Sequence, residues 1–174
     1  MNLEQYLDEL KRTEGENIRA LIERPEKPAR YAELPASLGP EIRAALASRG
    51  IEKLYSHQRE ALDLYLAEKD YVVTTPTASG KTLCYLLPIL HSKLKNPKGK
   101  HLFMFPTKAL AQDQLAANRG YADSLGMSWN VNTFDGDTPE EERRAVRKAG
   151  DFILTNPDML HSGIMPHQTI WKSF

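Results

Sequence analysis

The residues with the clearest chemical potential lie at positions 74–82, which read Thr-Thr-Pro-Thr-Ala-Ser-Gly-Lys-Thr. In a loop of this type, backbone N–H groups surround a concave anion site, and the dipole of the following helix favours a phosphate there. Gly80 permits close approach of the backbone, Lys81 supplies charge for the β- and γ-phosphates, and the Thr82 hydroxyl can ligate Mg²⁺. The segment, called the phosphate loop below, therefore predicts a nucleoside triphosphate site formed by Thr77, Ala78, Ser79, Gly80, Lys81 and Thr82.

The phosphate loop departs from the usual pattern at its first position. That pattern begins with glycine, whereas this chain has Thr75 there. A chance Gly-Lys-Thr sequence that merely begins a helix is the alternative interpretation. The β-branched segment before the loop and the helical pattern after it favour the phosphate site, because that context is what confirms the motif.

A glutamine upstream of the phosphate loop points to the kind of base. Residues 54–61 read Leu-Tyr-Ser-His-Gln-Arg-Glu-Ala. The Gln58 amide can donate and accept at once and so pair with the edge of adenine, while Tyr55 or Arg59 could stack on the ring. Alone, Gln58 would be read as a polar residue on a solvated helix face. Its position before the phosphate loop favours adenine recognition, so ATP is the predicted nucleotide.

Two segments downstream could meet a nucleic acid. Residues 105–114 read Phe-Pro-Thr-Lys-Ala-Leu-Ala-Gln-Asp-Gln and follow a predicted strand. A strand end that opens a helix presents N–H groups, the Thr107 hydroxyl and the Lys108 ammonium together, which suits a phosphate. A proline turn with Thr107 as a helix cap is the alternative, and the two roles are compatible.

Residues 153–160, and 135–138 before them, are weaker signals because turns of Gly, Asp, Asn and Pro are common.

The elements that position these residues alternate along the chain. Leu3, Tyr6, Leu7 and Leu10 predict an amphipathic helix, which Ile18, Leu21 and Ile22 continue to about Glu23 after an interruption at Gly15. A proline-rich connector and a short helix over 41–49 follow. Helices are then predicted over 56–68, 80–94, 107–122 and 138–149, and strands over 71–75, 101–105, 129–134 and 152–155. This alternation predicts an α/β fold with a parallel sheet.

Composition narrows the class of protein. The chain has 174 residues, 41% of them apolar, and its 23 basic residues balance its 23 acidic ones, so bulk charge does not indicate nucleic acid. Its single cysteine, Cys84, excludes an internal disulfide framework, and histidine spacing does not suggest a zinc site. There is no signal pattern and no apolar run of about 18 residues, so we expect a cytoplasmic protein with no membrane partner.

In their order, these segments resemble the first motor domain of the superfamily-two helicases. Their residues are more similar still to those of the MrfA or YprA-type DNA repair helicases, which are relatives of the RecQ-like enzymes. The likeness is carried by Leu-Tyr-Ser-His-Gln, Thr-Pro-Thr-Ala-Ser-Gly-Lys-Thr, Pro-Thr-Lys-Ala-Leu-Ala-Gln-Asp-Gln, Asp-Gly-Asp-Thr-Pro and Leu-Thr-Asn-Pro-Asp-Met-Leu-His. It implies that residues 51–174 are the N-terminal part of a RecA-like ATP-binding domain and residues 1–50 an N-terminal helical extension.

The resemblance also implies an activity, which is ATP-driven 3′ to 5′ translocation on single-stranded DNA in repair of damage such as crosslinks. Tyr55 and Gln58 would then lie at adenine, and Lys81 and Thr82 would be the catalytic residues at the phosphates and Mg²⁺. The DNA backbone would be contacted by Thr107, Lys108, Thr155 and Asn156. Association with the nucleoid is expected when the protein is on DNA.

Hydrolysis in such enzymes needs an acid pair after an apolar strand, one carboxylate for Mg²⁺ and one to position water. Residues 132–135, Asn-Thr-Phe-Asp, are too polar and lack a following Glu. No Asp-Glu-Ala-His segment is present, and the chain ends at Phe174, about where the resemblance places the acid strand. We therefore expect an incomplete RecA-like sheet, in a fragment that binds ATP or DNA weakly, does not hydrolyse ATP, is prone to aggregate, and needs the remainder of the helicase for activity.

Three other interpretations remain open. An RNA helicase of the DEAD-box type shares the fold, and RNA is distinguished from DNA by contacts to the 2′-hydroxyl. Another phosphate-loop enzyme, such as a small-molecule kinase, would leave the Gln58 and Lys108 segments unexplained. A non-enzymatic binding module with a vestigial motor is the third.

Overall fold

The computed structural model describes residues 2–22, 25 and 28–172. Its helices are α1 (Leu3–Glu14), α2 (Pro40–Ala47), α3 (Ser56–Leu66), α4 (Thr82–Lys95), α5 (Lys108–Ser124), α6 (Glu140–Ala149) and α7 (Pro157–Met159). Its strands are β1 (Tyr31–Ala32), β2 (Leu54–Tyr55), β3 (His101–Met104), β4 (Val131–Thr133) and β5 (Phe152–Thr155). After α7, a π-helical turn (Leu160–Ile164) and 3₁₀ turns (Met165–Trp171) follow.

The first helix is shorter than predicted. Asn2 and Gln5 form a reciprocal capping box that begins α1, and no residue of α1 is buried. A single 3₁₀ turn at Gly15–Asn17 follows, and Ile18 is extended. The predicted helical continuation through Leu21 is therefore wrong, because the backbone leaves the helical conformation at Ile18 (φ −82°, ψ 107°); Glu23 lies outside the described residues.

The segment before the phosphate loop packs against the rest of the chain. β1 and β2 form an antiparallel ribbon with Tyr31 opposite Tyr55, which the sequence did not predict. Arg43 on α2 donates to three carbonyl oxygens, those of Leu34 (3.2 Å), Pro35 (2.6 Å) and Leu38 (3.0 Å). These bonds hold the proline-rich connector in place, because each donor satisfies a carbonyl that no regular element pairs.

The main sheet is parallel and has the order β3–β5–β4, which confirms the predicted α/β fold. Residues 101–104 pair with 152–155, and residues 131–133 pair with 152–154. All four residues of the central strand β5 are buried, as expected for a strand covered on both faces. The three strands therefore end at one edge, where the segments after them meet.

The prediction of a strand at residues 71–75 is wrong for this structure. These residues are extended, but they pair with no strand among the described residues, and Val72 is 89% exposed. A strand needs a ladder partner as well as β-branched residues. The free edge of β3 also carries exposed side chains, those of Leu102 and Met104.

Two of the three apolar clusters in the core adjoin the helix that follows the phosphate loop. One lies around α2, α3 and α4 and includes Leu46, Leu62 and Leu87; the other lies between α5 and the sheet and includes Phe103 and Leu154. Tyr85 and Trp129 pack against both clusters. The helix that follows the phosphate loop is thereby joined to the sheet.

A buried lysine ties α4 to the sheet. The Lys93 ammonium donates to the carbonyl oxygens of Pro97 (2.6 Å) and Gly99 (2.7 Å) and to the Asp151 carboxylate. Asp151 also accepts from the backbone N–H of Asn130 at 2.9 Å. The network fixes the turn between α4 and β3 and the starts of β4 and β5.

The described helices include none that is both long and apolar enough to cross a membrane.

Candidate nucleotide site and nucleic-acid interface

The phosphate loop turns through two left-handed residues, Ala78 (φ 60°) and Gly80 (φ 79°), before α4 begins at Thr82. The Ser79 and Thr75 hydroxyl oxygens lie 2.7 Å apart and brace the turn. Pro76, Thr77, Ala78 and Gly80 are exposed, so a ligand can approach the backbone. The loop thus has the exposed backbone and helix start that a phosphate site requires.

Lys81 is already bonded within the loop. Its ammonium donates to the carbonyl oxygens of Thr75 (2.8 Å) and Pro76 (2.7 Å). A triphosphate would have to replace these two acceptors. Thr82 occupies the first position of α4, where its hydroxyl suits the predicted Mg²⁺ contact. The described residues contain no cluster of three or more His, Cys, Asp or Glu that could hold a metal by itself.

Gln58 is buried and uses both ends of its amide. Nε2 donates to the Gly80 carbonyl oxygen at 2.9 Å, and Oε1 accepts from the Tyr55 backbone N–H at 2.9 Å. His57 Nε2 lies 3.0 Å from the Ser79 carbonyl oxygen. The start of α3 is therefore fastened to the phosphate loop. Adenine recognition by Gln58 stays a prediction, and it would require the amide to exchange one of these partners.

Position 80 requires glycine for two reasons, its backbone conformation and the lack of space for a side chain. A Cβ at this position would lie 2.6 Å from Gln58 Nε2, and a φ of 79° is unfavourable for any other residue. The glycine therefore permits the contact between the loop and α3.

The predicted stacking residues differ in accessibility. The Tyr55 ring stacks on Tyr31 (centroids 5.3 Å apart) and on His57 (5.7 Å), and Tyr55 is partly exposed. The Arg59 guanidinium is instead held by the Asp63 carboxylate (2.9 Å) and the Glu33 carbonyl oxygen (2.9 Å). Of the two candidates, Tyr55 is the one whose ring is free of such bonds. Tyr31 gave no local signal in the sequence.

At the carboxyl edge of the sheet, Thr107 and Lys108 begin α5. The Thr107 hydroxyl oxygen accepts from the Leu110 N–H at 3.2 Å, so its predicted role as helix cap is confirmed. Both residues are exposed. Lys108 Nζ lies 2.6 Å from Asp137 Oδ2, and this hydrogen bond raises the pKa of Lys108. The sequence had not assigned Asp137 to this site.

Thr155 ends β5 and Asn156 follows it at the same edge, but their side chains face inward. The Thr155 hydroxyl donates to the Phe134 carbonyl oxygen at 2.7 Å, and Asn156 Oδ1 accepts from the Met159 N–H at 2.8 Å. Both residues are buried. Their DNA contacts stay predictions, and Thr155 offers a ligand almost no side-chain surface here.

The turn 135–138, between β4 and α6, completes this edge. Thr138, the first residue of the helix predicted over 138–149, bonds within the turn instead. Its hydroxyl accepts from the Asp135 N–H at 3.0 Å and donates to the Asp135 carboxylate at 3.3 Å. Pro139 occupies the cap position of α6. The predicted start at residue 138 is therefore two residues too early, since α6 begins at Glu140 and the Thr138 hydroxyl is engaged within the turn.

Comparison with known proteins places this geometry in a family. The sequence profile described as DEAD/DEAH box helicase matches residues 55–173. An uncharacterised ATP-dependent helicase of Bacillus subtilis, YprA, is 45% identical over 159 residues, covering 91% of this chain and 21% of that protein. The ATP-dependent helicase HRQ1 of Saccharomyces cerevisiae is 37% identical over 174 residues, covering 98% and 16%. The chain spans about a fifth of the length of these relatives.

Solved structures agree with the sequence relatives. The crystal structure of the DUF1998 helicase MrfA bound to DNA superposes with a TM-score of 0.91 at 43% identity, covering 100% of this chain and 24% of that one. MrfA bound to DNA and AMPPNP gives a TM-score of 0.82 at 47% identity, covering 84% and 21%. These matches confirm the RecA-like helicase fold, and the chain belongs to the DEAD/DEAH box helicase family, with YprA, HRQ1 and MrfA as close relatives.

Proposed function

We propose that this chain is the ATP-binding and DNA-contacting part of a 3′ to 5′ DNA helicase or translocase that acts in DNA repair. The protein would act in the cytoplasm and would associate with the nucleoid when it is bound to DNA. The observation that carries the proposal is the fastening of Gln58 to Gly80, which joins the predicted adenine and phosphate contacts in one site. The relatives named ATP-dependent helicases, and MrfA bound to DNA and AMPPNP, support it.

The residues of the phosphate loop fit ATP with Mg²⁺. Lys81 would exchange the carbonyl oxygens of Thr75 and Pro76 for phosphate oxygens, at little cost because the same ammonium keeps two acceptors. Thr82 would hold Mg²⁺, which supplies charge neutralisation at the phosphates when bound. Tyr55 would stack on the base while Gln58 pairs with its edge.

Lys108 and the start of α5 would meet the DNA backbone. A lysine beside a helix start contacts phosphate without reading base sequence, as a motor that moves along a strand requires. The exposed positions of Thr107 and Lys108 support this role more strongly than the buried positions of Thr155 and Asn156 do. Hydrolysis and unwinding would also need the acid pair and second motor domain of the longer protein.

We propose that residues 1–50 form an N-terminal extension and residues 51–174 the N-terminal part of the motor domain. The two parts pack against each other across this boundary, because one core cluster contains Leu38, Ile42 and Leu46 as well as Leu62 and Leu87. Residues 31–50 would therefore be folded together with the motor portion.

The test is nucleotide binding by the Lys81→Ala variant. We expect the chain to bind a fluorescent ATP analogue with Mg²⁺ and the variant to lose about tenfold or more in affinity, since a charged hydrogen bond to phosphate is removed. Lys98→Ala, which removes an exposed lysine in the turn before β3, is the matched control and should bind like the parent. Equal affinity of all three proteins would show that Lys81 does not hold the nucleotide.

The RNA-helicase alternative has weaker support. DEAD-box ATP-dependent RNA helicase 7 of Arabidopsis thaliana is 30% identical over 134 residues, below the 45% of YprA. Competition between single-stranded DNA and RNA of equal sequence distinguishes the two, and preference for RNA would favour the alternative.

A further inference from the structure

The turn 135–138 holds its backbone rigidly beside Lys108. The Asp135 carboxylate is buried and accepts from the Asp137 N–H at 2.9 Å. Arg143 Nη2 donates to the carbonyl oxygens of Asp135 and Gly136, each at 3.1 Å. The position of Asp137 is therefore set by bonds that do not involve its own carboxylate.

The Asp137 carboxylate projects from this turn onto the Lys108 ammonium. Oδ2 lies 2.6 Å from Nζ, and the side chains are 80% and 47% exposed respectively. A Cβ at Gly136 would lie 3.7 Å from the same Nζ, so the ammonium lies directly over the turn. An exposed ion pair of this kind is weak, because water and salt screen it, and another anion can displace the carboxylate.

We propose that Asp137 is a competitor, built into the turn, for the nucleic-acid phosphate at Lys108. Its carboxylate oxygen occupies the place on the ammonium that a phosphodiester oxygen would take. This inference rests on the proposed function, in which Lys108 contacts DNA. Arg143 is then a positioning residue, since it holds the turn that carries Asp137.

The competitor changes how Lys108 engages a strand. A phosphate that meets Lys108 alone must displace a tethered carboxylate, whereas a strand already held by other contacts presents its phosphate at high local concentration. Asp137 therefore weakens isolated contacts more than extended ones. Asp137 also offsets the positive charge of Lys108. The affinity for DNA should therefore depend less on salt concentration than it would if Lys108 had no carboxylate beside it.

The experiment measures binding of a labelled single-stranded oligonucleotide by anisotropy over a range of salt concentrations. Asp137→Asn should bind about two- to fivefold more tightly at low salt, the range expected for loss of an exposed ion pair. Its plot of log affinity against log salt should be steeper by about 0.7, the value for one more phosphate contact on a single strand. Glu141→Gln, which removes an exposed charge from the first turn of α6, is the matched control and should change little.

Combining variants separates local competition from general repulsion. If Asp137 acts through Lys108, the gain from Asp137→Asn should shrink or disappear in a Lys108→Ala background. An equal gain in that background would overturn the inference, because it would mean that Asp137 only repels DNA as a surface charge. Circular dichroism of each variant checks that the fold is retained.

Failure of the inference and failure of the proposed function give different results. If Lys108→Ala weakens binding but Asp137→Asn leaves affinity and salt dependence unchanged, the DNA contact stands and the competition is wrong. If neither the parent nor any variant binds DNA at low salt, the proposed DNA contact fails and the inference fails with it.

Discussion

At the scale of single residues, the site depends on the contact between Gly80 and Gln58. The Gln58 amide joins α3 to the phosphate loop and leaves no space for a side chain at position 80. Gln58 has thus a structural role in addition to its predicted role at adenine. A loss of ATP binding in a Gln58 variant must therefore be compared with its loss of stability.

Gly80→Ala should lower both the stability of the chain and its affinity for ATP. The added Cβ would clash with Gln58 Nε2, and alanine would have to adopt a φ near 79°. We therefore expect a loss of about 1–3 kcal/mol in the free energy of unfolding, together with loss of ATP binding. Urea unfolding and a fluorescent-nucleotide titration measure the two effects.

Gly50→Ala provides the control for backbone strain. Gly50 has a φ of 71° but no atom within 4 Å of its Cβ position, so this variant has the strain without the clash. Equal destabilisation by the two substitutions would show that the contact with Gln58 is unimportant. A larger loss at Gly80 isolates the contact.

At the scale of elements, the junction of α4, β3 and β5 depends on one buried lysine. Lys93 is fully buried, and its three acceptors come from the turn after α4 and from the residue before β5. Helix and strand propensities alone would allow α4 and the sheet to meet in several ways. The charged network selects one of them.

We predict that Lys93→Met lowers the free energy of unfolding by about 3–5 kcal/mol, because it leaves a largely buried carboxylate and two carbonyl groups without their donor. Lys95→Met, two residues along the same helix and exposed, should change stability by under about 0.5 kcal/mol. Chemical denaturation compares the two variants. A similar, small effect of both would mean that the buried pair contributes little.

At the scale of the whole molecule, two core clusters are joined through Tyr85 and Trp129. The Tyr85 hydroxyl also donates to Gln114 Oε1 at 2.6 Å, which links the helix after the phosphate loop to the helix that begins at Lys108. The proposed nucleotide and DNA contacts therefore lie at the starts of two helices that this hydrogen bond links. The extended segment 71–75 and the edge of β3 are left unpaired among the described residues.

These open edges predict self-association. Exposed strand edges with apolar side chains are templates for pairing with another chain. We expect light scattering to rise with concentration for the parent chain, and to fall when Val72→Lys and Met104→Lys are combined. Leu3→Lys, at an exposed leucine of α1, should not suppress it. A monomeric parent chain with a cooperative thermal transition would contradict this prediction.

Much of the architecture could be predicted because its signals are contiguous. The phosphate loop, the cap at Thr107 and the parallel sheet each depend on neighbouring residues or on a local repeat of apolar positions. The strand at 71–75 could not be judged in that way, since β-branched residues report propensity and not whether a partner strand is present.

The sequence by itself determined the family, the position of the predicted phosphate loop and the alternation of helices and strands. Only the tertiary structure determined that Gln58 bonds Gly80, that Lys108 pairs with Asp137, and that Lys93 is buried against Asp151. These partners are 22, 29 and 58 residues apart in the chain. Such contacts depend on how the whole chain packs, because no local pattern specifies which distant side chains will meet.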